Sequence, residues 1–310
     1  LSHKAKDCAL KKELLIIGMA IMISPGCSVF RNTATDQHVT FSRELTLQGL
    51  EANHLQNDAE AEKFFTQAVH SDTENIEARM HLAELYRQRN SLDAATQQLE
   101  RCNKIAPGDC MVMTELGNCY ADMNDNSRAL ELADLALRQN RESIEAWKLK
   151  AKAQWRLGRR EKALADYQRG LQLDSNDCEI RRNMAILYME LDKPLRALTT
   201  LDMIANEYDD QDIPEQLIVD QALALRKMDR LAEAIDRMRI GFERDKFSES
   251  YATQYAAALM EAGELRQAIA AIRIANQRYP QSVGLKQLWA KVQNGNAIRL
   301  AQYESETDVR

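Results

Sequence analysis

Residues of matching size and kind recur every 34 positions along most of this chain, and a period of that length restricts what it can fold into. Leu116-Gly117, Lys150-Ala151 and Met184-Ala185 lie one period apart, and Tyr120, Gln154 and Tyr188 keep the same register. So do Ala129, Ala163 and Ala197. Reading backwards, Leu82-Ala83, Tyr86 and Ala95 match, then Gln48-Gly49, Ala52 and Ala61. Five repeats follow without a gap: 42–75, 76–109, 110–143, 144–177 and 178–211. The register slips by three residues around Asp212-Ile213-Pro214 and resumes for 215–248 and 249–282. A supersecondary unit this short cannot bury its apolar face alone, so each must stack on its neighbours.

The spacing inside a repeat predicts two helices. Positions 4, 7, 8 and 11 lie on one face of a first helix, at i, i+3, i+4 and i+7. Positions 20, 24 and 27 share a face of a second. Small residues at 8, 20 and 27 let the helix backbones approach closely. A break at positions 14–18, such as Met123-Asn124-Asp125-Asn126-Ser127, joins the two as an antiparallel pair. Composition agrees. With 11 Gly and 5 Pro in 310 residues, the chain lacks the turn stock of a β-sandwich, which needs a turn about every 8–12 residues. The expected fold is all-α.

This register resembles the tetratricopeptide repeat (TPR). Its marks are a bulky residue at position 4 (Trp147), Leu-Gly or similar at 7–8, and Tyr at 11. Ala stands at 20, an aromatic at 24 (Phe65, Tyr167), Ala at 27 (Ala68, Ala136, Ala275) and Pro at 32 (Pro107, Pro280). Gly170 and Gly241 depart from the pattern at position 27. The resemblance implies a right-handed superhelix, an α-solenoid of about seven helix-turn-helix units. Its concave inner face would be formed by positions 2, 5, 6, 9, 12 and 13 of the first helices. Leu285, Leu288, Trp289 and Val292 recur at helical spacing and predict a capping helix over 283–303, ahead of a polar tail at 304–310.

The N-terminal residues read as an export segment over 1–27. Lys4, Lys6, Lys11 and Lys12 precede an apolar run from Leu14 to Ile23. That run is half the ~20 residues a membrane span requires, so it fits a signal-peptide core. Gly26-Cys27 follows and resembles a bacterial lipoprotein cleavage site, which implies Cys27 as the lipid attachment point. Ser24 stands where that family prefers Leu. Ordinary signal cleavage nearby and an uncleaved anchor are the competing readings. Residues 28–41 are polar and read as a tether. The expected location is the bacterial cell envelope, either membrane-anchored or periplasmic or secreted.

No catalytic motif is visible: no Gly-rich phosphate loop, no GxSxG, no HExxH and no paired CxxC. The reading is non-enzymatic, with no cofactor and no metal. His54 and His81 fall on the inner positions of successive repeats, but no carboxylate pattern fixes a metal geometry around them. Cys102 and Cys119 occupy positions for small buried residues and read as core thiols, with a disulfide left open by export. The net charge of −6 argues against nucleic-acid partners, which call for a basic footprint.

Charge singles out the fourth repeat. Repeats three and five each sum to −3, whereas the fourth carries +3. Its inner positions hold Lys148, Lys152, Trp155 and Arg156, and the fifth repeat adds Arg182, Asn183 and Met189. Few acidic residues share that face, apart from Glu145 and Glu179. The expectation is a groove for a protein or peptide ligand, acidic or carboxylate-bearing, with Trp155 as anchor. The carboxylate clamp of chaperone-adaptor TPR modules is not carried over. Lys148 and Asn183 fit it, but Lys152, Gln216 and Asp220 stand at its other positions. The function read from sequence is an exported, membrane-tethered scaffold, such as an envelope, pilus or secretion assembly factor. A helical-repeat RNA-binding protein and a cytoplasmic TPR adaptor with an uncleaved anchor are the alternatives.

Overall fold

The computed structural model describes residues 33–209, 212–244 and 247–293, and no strand occurs among them. The export segment and Cys27 lie outside the described residues. The first repeat pairs α1 (Thr33–His54) with α2 (Asp58–Ser71), and the second pairs α3 (Ile76–Gln88) with α4 (Leu92–Ile105). The third holds α5 (Cys110–Asp122) and α6 (Asn126–Gln139), and the fourth holds α7 (Ile144–Arg156) and α8 (Arg160–Leu173). Then come α9 (Cys178–Glu190) with α10 (Pro194–Ala205), and α11 (Glu215–Lys227) with α12 (Leu231–Phe242). The seventh repeat pairs α13 (Glu249–Glu261) with α14 (Leu265–Arg278), and residues 283–293 are again helical. The chain forms two compact units divided inside α9, between Ile180 and Arg181. In the N-terminal unit each helix packs on the next, and α5 also meets α7.

One backbone device closes every first helix. The residue at position 15 takes a positive φ in all seven repeats: Gln56, Asn90, Asn124, Gly158, Asp192, Asp229 and Gly263. Asn, Asp and Gly tolerate this left-handed conformation best. The next residue's N–H then bonds the carbonyl at position 11, as in Asp125 to Tyr120 at 2.8 Å and Arg159 to Gln154 at 2.9 Å. That six-to-one bond is the Schellman C-cap, and it turns the chain back into the second helix.

Position 34 opens the next first helix. Asn75, Asp109, Ser143, Asp177, Ser248 and Ser282 each accept a bond from a backbone N–H in the first turn. Such N-caps contribute about 1 kcal/mol each.

Size at position 27 is matched to position 3 of the following repeat. Ala68 and Ala78 share a buried cluster, and so do Ala136 and Ala146. At two further junctions a large residue at position 3 faces Gly at position 27, whereas Leu217 follows Ile204 without one. A Cβ on Gly170 would stand 2.8 Å from Cδ1 of the fully buried Ile180, and one on Gly241 would meet the Tyr251 ring at 2.6 Å. The Tyr251 hydroxyl donates to the Met238 carbonyl at 2.6 Å. The two glycines that depart from the repeat pattern are therefore packing compensations.

One expectation about boundaries is revised. The segment 28–41 was expected to be a tether, yet α1 is helical from Thr33. The Ser71 hydroxyl donates to the His38 carbonyl at 3.1 Å, and buried Ser42 donates to the Ala68 carbonyl at 2.7 Å. Extending a helix already anchored this way adds no nucleation cost. The three-residue insertion neither lengthens a helix nor adds one. Ile213 is buried, its carbonyl accepts from Arg244, and Pro214 precedes the first residue of α11.

Candidate functional site

The first helices carry the residues singled out by charge, and their surroundings differ from the expectation. Lys148 was expected as an exposed, poorly partnered contact in the groove. Its side chain is only 9% exposed, and its ammonium lies 3.4 Å from Glu145, 3.7 Å from Asp177 and in contact with Glu179. Burial opposes its charge, but the bond to Glu179 and the three carboxylates outweigh this and raise the lysine above its usual range. Lys148 thus ties the α8–α9 turn and the start of α9 to α7.

Lys152 is also paired, donating to Asp122 of α5 at 3.1 Å. The other oxygen of Asp122 accepts from Arg87 of α3 at 3.4 Å, and Arg87 in turn bonds Glu84 at 2.7 Å. A ladder of alternating charge therefore crosses three first helices, Arg87 to Asp122 to Lys152. Arg156, exposed at the end of α7, donates to the Ala121 carbonyl in the last turn of α5. It satisfies a carbonyl that the helix terminus would otherwise leave unbonded. Glu115, behind the ladder, is raised above the usual carboxylate range by burial, with Arg87 opposing. Trp155 is half-buried beside these charges.

The expected excess of like charge on this face is corrected: each cation has a partner. The carboxylates are Asp122 of α5, Glu145 of α7, Asp177 of the α8–α9 turn and Glu179 of α9. A count within the fourth repeat could not show the pairing, because Asp122 and Glu179 belong to its neighbours and a count does not bring Asp177 to Lys148. The signal was present at position 13 of the third repeat, where Asp122 stands opposite Lys152 in the stacking order.

The C-terminal compact unit repeats the theme. Arg182 of α9 pairs with Asp220 of α11 at 3.1 Å, and Gln216 bonds the same carboxylate at 2.9 Å. Asp220 stands where the adaptor clamp would place a cation, and here it neutralises one. Lys227 donates to the Met189 carbonyl at 2.9 Å, and Arg226 pairs with Glu261 of α13. Asn183 and the Met189 side chain are half-buried.

His81 does not face an open groove. Its ring stacks on Phe65 with centroids 5.3 Å apart, and burial lowers its pKa. His54 is exposed, and no cluster of three metal-ligating side chains exists among the described residues. Cys102 and Cys119 are both buried and free. Burial pushes the first thiol up to about 11 and the second to about 12. No helix among the described residues is long and apolar enough to cross a membrane.

Comparison with known proteins follows the same lines. Two family models described as tetratricopeptide repeat match residues 59–110 and 114–177. Human protein O-mannosyl-transferase TMTC1 is 28% identical over 132 residues, covering 41% of this chain but 15% of that protein. PilW, a type IV pilus biogenesis factor, superposes with a TM-score of 0.61 at 16% identity, covering 80% of this chain and 98% of its own. A tetratricopeptide repeat protein from Parabacteroides merdae gives 0.58 at 15% identity, covering 82% and 99%. Pseudomonas aeruginosa pilF gives 0.55 at 13%, covering 84% and 98%. Likeness at such identities establishes the fold, and the matched models establish tetratricopeptide repeats over residues 59–110 and 114–177.

Proposed function

We propose that this protein is a non-enzymatic scaffold of the bacterial cell envelope. It binds a protein segment along its first-helix face and is tethered to a membrane through lipidated Cys27. The observation that carries the binding reading is the ladder Arg87–Asp122–Lys152 beside half-buried Trp155. Its side chains remain about a quarter to a third exposed, at 29% for Arg87, 26% for Asp122 and 35% for Lys152. Exposed Met111 adds apolar surface on α5. Because the ladder, counted with Glu84, is already neutral, it favours an extended segment bearing both signs, which exchanges partners rung by rung. A purely acidic ligand would have to displace Asp122 first. The fold shared with pilus-biogenesis proteins, together with the charged and apolar segment before Cys27, supports a role in envelope or pilus assembly.

The test is to capture partners from envelope membranes with the wild-type chain and to measure the captured protein against variants. Trp155→Ala should weaken binding by about 2 kcal/mol, roughly thirty-fold. Lys152→Gln should weaken it less. Both should leave the melting temperature nearly unchanged. Unchanged affinity in both variants, with the fold intact, would remove the groove from the account. Cys27→Ala should release the protein from the membrane fraction. A variant that still fractionates and migrates like the parent would exclude the lipid.

A further inference from the structure

Positive charge from the end of the third repeat and from the fourth gathers away from the groove, on the side of the second helices. A pocket of about 610 Å³ lies between α6 and α8, with α7 between them. Its apolar part is Trp147 with Leu137 and Leu173, the last 41% exposed. Around it stand Arg138, Arg141, Arg169 and Lys150, against one lining carboxylate, Asp134.

That carboxylate is already taken. Lys150 pairs with Asp134 at 2.9 Å and approaches Asp166 at 4.0 Å, and its ammonium lies 5.4 Å from the Trp147 ring centre. The three arginines are exposed, and none has an ion pair among the described residues. Arg169 makes one bond, to Gln172 at 3.2 Å. A single cation in the last turn of a helix, as Arg138 is, complements the helix dipole and needs no ligand. Three unpaired guanidinium groups converging on one pocket leave a concentrated positive potential on a chain whose net charge is −6.

The apolar part is held in place. The Trp147 indole N–H donates to the Arg141 carbonyl at 2.9 Å, which fixes the ring against the turn that carries one of the arginines. Gly170 brings α8 close to the base of Trp147, with a would-be Cβ 3.6 Å from the Trp147 Cβ. Lys150 sits at position 7, where the second, third and fifth repeats have Leu82, Leu116 and Met184. Its exchange of an apolar contact for a pair of carboxylates makes the arginines the available charges.

We propose that this pocket is a second docking site, separate from the first-helix face. Its occupant is an acidic peptide segment carrying an aromatic or aliphatic side chain. The apolar side chain lies against Trp147, Leu137 and Leu173. Carboxylates on either side accept bidentate bonds from Arg138, Arg141 and Arg169. The volume suits one large side chain and its flanking residues.

The test uses the full chain and three fluorescent peptides: Asp and Glu around a central Phe, the same with Ser for Phe, and a Lys-for-acid version of the first. Fluorescence anisotropy should show the Phe-containing acidic peptide binding, the Ser peptide binding roughly ten-fold more weakly, and the Lys peptide not binding. Affinity should fall steeply with salt. Arg138→Glu/Arg141→Glu should abolish binding with the melting temperature kept, since neither side chain packs in the core. Lys152→Gln/Trp155→Ala should leave binding unchanged, which separates this site from the groove. The proposal is overturned by equal binding of the Phe and Ser peptides, or by full binding in the arginine variant. It is equally overturned by loss of binding in the groove variant, or by a single-stranded oligonucleotide binding through these arginines more tightly than the peptide.

Discussion

Placing a methyl group on Gly170 tests whether position 27 is sized by position 3 of the next repeat. Gly170→Ala has two opposing effects. It replaces a helix-interior Gly with the best helix former, a gain of about 1 kcal/mol. It also sets a Cβ 2.8 Å from Cδ1 of Ile180, a β-branched side chain with no exposed surface and little freedom to turn away. Overpacking of that kind costs about 1–3 kcal/mol. The single variant should therefore be neutral to about 2 kcal/mol less stable. Ile180→Val removes the offending carbon at a cost of about 1 kcal/mol. In that background Gly170→Ala should recover its helix-propensity gain, and a double-mutant cycle should show about 1–3 kcal/mol of favourable coupling. Urea unfolding followed by circular dichroism reads all four proteins. Coupling below about 0.5 kcal/mol, or a Gly170→Ala single variant more stable than wild type, would refute the size-matching argument.

Other consequences follow from burial and pairing. His81 is half-buried and desolvation lowers its pKa from the usual value, so the unfolded chain takes up a proton that the folded chain refuses. Stability should fall as the pH drops below about 6.5. Glu115 and Asp166, raised by burial, act in the opposite sense, so the comparison is with His81→Leu. That variant should melt with a shallower acid dependence than wild type, and equal slopes would place the proton elsewhere. Alkylation of the native protein followed by peptide mapping should mark Cys110 and Cys178 well before Cys102 and Cys119. Equal rates would contradict the burial that raises the latter two to about 11 and about 12. Lys148→Met should cost about 2 kcal/mol in thermal unfolding, because it leaves Glu145, Asp177 and Glu179 facing one another, two of them in contact with water. A loss no larger than that of Lys152→Met would show that Lys148 is an ordinary surface charge.

The architecture was legible in the amino-acid order because a repeat writes the same instructions seven times. The apolar spacing, the break at positions 14–18 and the small residues at 8, 20 and 27 are local signals, and their recurrence removes ambiguity that one copy would leave. The two glycines at position 27 looked like departures only because their partners, Ile180 and Tyr251, belong to the following repeat. The charges were not legible in the same way. Lys148, Lys152, Arg156 and Arg182 could be placed on the inner positions from spacing alone. Whether each met water or a carboxylate depended on Asp122, Asp177, Glu179, Asp220 and the Ala121 carbonyl, most of them contributed by adjacent repeats. Periodicity fixes which face a residue occupies, since that follows from 3.6 residues per turn. Stacking fixes what stands opposite, and pairing energies depend on separations of a few ångströms that no one-dimensional count contains. For the same reason the fourth repeat's excess charge was visible in the composition, while only the packing of α6, α7 and α8 brought Arg138 and Arg141 of the acidic third repeat beside Arg169 around Trp147.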